Sequence, residues 1–199
     1  MKTERRFTPF QETELRVEPS DAGQRIVGYV ARFNSWSPVY GDFRERIAPG
    51  FFDAVLSNDV RGLFNHDPNF VLGRTTAGTL RLASDNLGLL ADVDAPDTSL
   101  IADLVLSPIR RRDVTGASFS FTVAEDHWDK AQDGLWERTL LRAAELFDVG
   151  PVTFPFYPET DLAVRSLDSW REAHPPAAPP ALDPSRWLQQ RRARLDLLA

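Results

Sequence analysis

A histidine exchanges its proton near neutral pH, and a serine hydroxyl within hydrogen-bond reach of it becomes a nucleophile able to attack an acyl carbon. The chain has three histidines. His66 lies in Leu63-Phe64-Asn65-His66-Asp67-Pro68, a turn that follows an apolar run, and Ser118 lies in Gly116-Ala117-Ser118-Phe119-Ser120-Phe121-Thr122, an aromatic strand. Ser120 competes for the nucleophile's role, because residues two apart on a strand share a face. Asp148 can orient the imidazole and stabilise its cationic form. Glu145 is the rival carboxylate; three positions away it faces the other side of a regular strand, a parity that a bulge would cancel. Asp67 precedes Pro68 and reads equally well as a turn residue. The developing oxyanion falls to backbone N–H groups, with Arg142 or Arg165 as lesser candidates. A metal-dependent hydrolase built on His66, Asp67 and Asp148 is a weak third class: His127 and His174 have no ligand-like spacing to His66, and the chain has no cysteine.

Composition narrows the partners. With 199 residues, 42% of them hydrophobic, the chain can bury one sizeable core, so one domain with tails is expected. A net charge of −6 speaks against nucleic-acid binding, which needs clustered lysine and arginine; Lys2 and Lys130 are the only lysines. The lack of cysteine excludes disulfides and thiolate chemistry. No apolar run has the length of a signal peptide or of a membrane span, so a soluble intracellular protein is expected.

The elements that must position these residues are mostly strands. Residues 1–12 are polar and read as a flexible arm. Glu14 to Val17 and Arg25 to Phe33 suggest an antiparallel pair turning near Gly23. Phe43 to Ile47 suggests a strand. Pro49 to Leu56 suggests a helix, with Phe51, Phe52 and Val55 on one face. Val60 to Phe64 delivers His66, and three short strands follow over Leu72 to Arg74, Leu80 to Ala83 and Gly88 to Val93. Asp97 or Thr98 caps a helix with Leu100, Ile101, Leu104 and Val105 in a stripe, which Pro108 ends or kinks. Arg110 to Arg112 suit that helix's C-terminal end. Gly116 to Val123, Leu135 to Ala143, Leu146 to Val149, Val152 to Phe154 and Leu162 to Val164 complete the strands. Strands in hairpin-like succession favour an antiparallel barrel or sandwich with helices packed outside; that domain then spans 13–166, a proline-rich linker 167–184 and an amphipathic helix 185–199.

Four motifs occur in order: Phe64-Asn65-His66-Asp67-Pro68, Leu72-Gly73-Arg74, Gly116-Ala117-Ser118-Phe119-Ser120-Phe121, and Leu146-Phe147-Asp148-Val149-Gly150-Pro151-Val152-Thr153-Phe154-Pro155-Phe156-Tyr157-Pro158. Together they resemble the prohead maturation proteases of tailed bacteriophages and prophages over about residues 25–166. Members of that family look like the herpesvirus assemblins. The resemblance implies an antiparallel β-barrel with flanking helices, a serine nucleophile falling on Ser118, His66 as base and Asp148 where the family more often has glutamate. Ser120 stands where the family pattern commonly has glycine. It further implies an enzyme that needs no cofactor or metal and cuts the scaffolding segment of the major capsid protein, and itself, inside the immature prohead in the host cytoplasm. No nucleic acid or membrane enters as a partner, and a homo-oligomer stays open. The competing reading is a catalytically inactive assembly factor of the same fold that binds capsid or scaffold chains.

Overall fold

The computed structural model describes residues 3–21, 23–154, 167–168 and 170–173. It separates into two compact units, Met1–Arg165 and Ser166–Ala199. The first unit is mainly β. Among the described residues its strands are β1 (Glu4–Thr8), β2 (Arg16–Ser20), β3 (Gly23–Arg32), β4 (Phe43–Ile47), β5 (Arg61–Leu63), β6 (Val71–Arg74), β7 (Leu80–Ser84), β8 (Gly88–Asp94), β9 (Gly116–Lys130) and β10 (Trp136–Val152). One sheet runs β1-β9-β10-β5-β6, and β4 also pairs with β10; the other runs β2-β3-β8-β7.

The long hairpin of β9 and β10 is the spine. Its turn places Gly134 at φ 88°, a left-handed conformation that glycine adopts without strain. The free edge of β10 is shared between two short strands, β4 against Trp136–Leu140 and β5 against Asp148–Val149, both parallel to it. The first sheet is therefore mixed and the second wholly antiparallel, both are open along the described residues, and an isolated bridge from Phe33 to Ile47 links the end of β3 to the end of β4.

Alternation on β9 sends Phe119 and Phe121 into the core. There they meet Phe52 and Phe51 edge-on, with ring centroids 5.4 and 5.5 Å apart. All four rings are buried, and each such pair adds about 0.5–1.5 kcal/mol beyond the area it removes from water. The same alternation turns Ser118 and Ser120 to the opposite face.

Four sequence expectations are corrected. Within the stretch expected as a loose arm, Glu4–Thr8 forms β1, antiparallel to β9. Two of its charges, Glu4 and Arg6, are withdrawn from solvent, because Glu4, Arg6, Glu45 and Arg138 pair with one another, while Arg5 stays exposed. The helix expected over Pro49 to Leu56 is only a 3-10 turn, Asp53–Val55, since Gly50 at φ 84° breaks the helical path. After the Thr98 cap, whose hydroxyl accepts from the Ile101 N–H at 3.3 Å, the helical run widens into a π turn over Ala102–Leu106. That extra residue lets Pro108, which has no N–H, lie within the run. It also rotates the buried face to Ile101, Val105, Leu106 and Ile109, leaving Leu100 and Leu104 exposed. Lastly, residues 167–168 and 170–173 are helical at the start of the expected linker, where the sequence has no proline before Pro175. The expected strand from Leu162 to Val164, the proline run and the helix over 185–199 lie outside the described residues.

Candidate active site

Two adjacent rungs of the sheet build the site. On one, Arg5 of β1 lies opposite Ser120 of β9, which lies opposite Asp148 of β10; on the next, Phe7, Ser118 and Gly150 stand in the same order. Cross-strand neighbours project to the same face, so Ser118, Ser120 and Asp148 converge without any help from loops. The fourth side chain, His66, comes from the turn between β5 and β6.

That turn is held by the strand it overhangs. Asn65 and His66 have φ of 55° and 57°, two consecutive left-handed residues, which asparagine tolerates better than most side chains. The Asn65 N–H donates to the Pro151 carbonyl at 3.0 Å, its carboxamide oxygen accepts from the Thr153 N–H at 2.8 Å, and its amide nitrogen donates to the Thr153 hydroxyl at 3.1 Å. On the far side, Asp67 accepts from the Asn69 N–H at 2.8 Å, so its carboxylate fastens the turn. Gly150 makes the close approach feasible: a Cβ there would stand 1.8 Å from the Leu63 carbonyl oxygen.

The imidazole bridges the two rungs. Its Nδ1 meets Asp148 Oδ1, and its Nε2 lies 2.6 Å from Ser118 Oγ. A carboxylate on Nδ1 holds the proton there and leaves Nε2 as an acceptor facing the hydroxyl. Ser118 Oγ also lies within donating distance of the Arg6 carbonyl, 2.8 Å away. Ser120 Oγ stands 3.3 Å from Nδ1, on the carboxylate side of the ring. Ser118, Ser120 and Asp148 are all buried, at 6%, 2% and 9% exposure.

The parity argument against Glu145 fails, because the register shifts between Leu146 and Asp148. Glu145 lies opposite Thr122, on the same face as Asp148. It is displaced one same-face step, roughly 7 Å, along the strand, and it is exposed. Arg142 is exposed and pairs with Glu125 at 3.5 Å, and Arg165 lies outside the described residues. Arg110 and Arg111 occupy the last helical turn, Arg112 caps it in a left-handed conformation, and Arg110 donates to Gln24. His127 pairs with Asp129 at 3.1 Å on the surface. Among the described residues no cluster of three or more His, Asp or Glu is placed to hold a metal ion. None of their helices is long and apolar enough to cross a membrane. Arg5 and Arg6 escape sequence reasoning; Asn65, Gly150 and Thr153 lie within the quoted motifs without a role assigned to them, although the asparagine's tolerance of left-handed turns is a signal.

A serine, a histidine and a carboxylate in one hydrogen-bonded line, borne on a β scaffold, form the constellation of the serine hydrolases. Within that class the chain belongs to the family described as Caudovirus prohead serine protease, which matches residues 11–173. No curated protein and no solved structure matches the chain.

Proposed function

We propose that this protein is a serine endopeptidase that removes the scaffolding segment of the major capsid protein during prohead maturation and also cuts itself, on a β scaffold of assemblin type. Ser118 is the nucleophile, His66 the general base and Asp148 the group that orients the base. The observation that carries the reading is the 2.6 Å approach of His66 Nε2 to Ser118 Oγ with the opposite ring nitrogen on a carboxylate. Ser118 Oγ attacks the scissile carbonyl while its proton passes to Nε2. The imidazolium then gives that proton to the leaving amine, and a water activated by His66 releases the acyl group. Membership of a prohead protease family supports the capsid substrate.

The test is co-production of the full chain with the major capsid protein. Ser118→Ala should abolish processing while the variant folds as the wild type does, whereas Ser120→Ala should leave measurable cleavage. Processing that survives Ser118→Ala would refute the assignment. A folded wild type that neither processes capsid protein nor reacts with a fluorophosphonate would favour the inactive assembly factor.

A further inference from the structure

The contacts of Ser120 go unused in the mechanism above, and they lead out of the family-matched region. Ser120 is 2% exposed and shares a rung with Asp148 on one side and Arg5 on the other. Its Oγ lies 3.3 Å from His66 Nδ1 and accepts from Arg5 Nε at 3.2 Å. Nδ1 carries a single proton, and Asp148 Oδ1 and Ser120 Oγ both lie within hydrogen-bond reach of that nitrogen. The Arg5 N–H occupies a second lone pair of the same serine oxygen. Ser118, one rung on, is held from the same strand by the Arg6 carbonyl. Thus β1, Glu4–Thr8, touches both serines, although the family match begins at residue 11.

We infer that Ser120 and Arg5 form a positioning relay for His66, so that β1 is a working part of the active site. Ser120 fixes the tilt of the ring about its Asp148 contact, and Arg5 fixes the Ser120 hydroxyl. Neither touches the substrate carbonyl. The relay takes Ser120 out of competition with Ser118: its oxygen faces the nitrogen that keeps its proton, not the one that accepts.

This inference rests on the reading of Ser118 as nucleophile, and the experiment separates the two. In the full-length protein, the 15N shift of His66 Nδ1 is measured by NMR, and the rate of fluorophosphonate labelling is followed with the labelled residue located by mass spectrometry. Ser120→Ala and Arg5→Ala should each move the Nδ1 shift and slow labelling of Ser118 by about tenfold, the worth of one polar contact. The double variant should also lose about tenfold rather than a hundredfold, because the two act in series. Arg5 is exposed, so its variant tests the relay even if Ser120→Ala folds poorly. An unchanged Nδ1 shift in both variants overturns the relay, as does an additive hundredfold loss. Should the free enzyme resist labelling, the Nδ1 shift alone decides. Label found on a residue other than Ser118 sinks the nucleophile assignment instead.

Discussion

Two buried polar clusters sit back to back across the same sheet, and both draw on β1. On the core side, Arg138 donates to Glu4 at 2.8 and 3.1 Å and to Asp126 at 2.7 Å, while Arg6 reaches Glu4 at 2.6 Å and also pairs with Glu45. Every charge there meets an opposite charge. Burial pushes the Glu4 carboxyl up, yet Arg6 and Arg138 outweigh it and hold the group below the usual carboxylate range. Burial alone would lower the Arg6 guanidinium, but Glu45 and Glu4 raise it well above its ordinary value. Protons in this cluster are therefore locked in place. On the other side, one hydroxyl proton of Ser118 lies between two acceptors, Nε2 and the Arg6 carbonyl. The difference separates a cluster that holds strands together from one in which a proton can move.

The sharpest way to break this contrast is to remove the carboxylate that fixes the imidazole tautomer. Asp148→Asn should lower the rate of substrate cleavage by about 10⁴-fold, with little change in folding. The corresponding change on the core side is Arg138→Ala, which strands buried carboxylates. It should destabilise the protein by about 3–5 kcal/mol in denaturant unfolding, with cleavage per folded molecule largely kept. Acid probes the locked cluster more gently. Since the folded Glu4 pKa lies below the unfolded value, near 4.3, its contribution is full above that value and drains away as pH falls through the folded one. Thermal stability should thus hold between pH 5 and 8 as far as Glu4 sets it and drop below about pH 4; a midpoint flat through that acid range would contradict the locked state. The smallest effect belongs to Glu145→Ala, which should change cleavage by less than about twofold because that side chain is exposed beyond the site. A large loss would reassign the carboxylate.

Much of this arrangement was legible in the amino-acid order. Alternation marked Ser118 and Ser120 as face-mates, and turn residues marked the β2–β3 pair and the end of β5 that carries His66. What stayed hidden has a common cause, in that local pattern was overridden by partners distant in the chain. Glu4 and Arg6 read as solvated, since nothing nearby announces Glu45 and Arg138 as their counter-charges. The bulge around Phe147 has no glycine to signal it, and it alone reverses the facing of Glu145. Leu100 and Leu104 matched a helical stripe that holds only while the turn has 3.6 residues, which the π segment before Pro108 does not.

The pairing of Arg5 with Ser120 joins positions 115 residues apart. During synthesis β1 thus waits for β9, far downstream, to supply its partner, and Asp148 of β10 arrives later still. Such non-local closure makes folding slow compared with a helical bundle. It also means that a chain still being translated, or one cut short before Asp148, lacks the carboxylate that meets His66 Nδ1 and cannot form the hydrogen-bonded line.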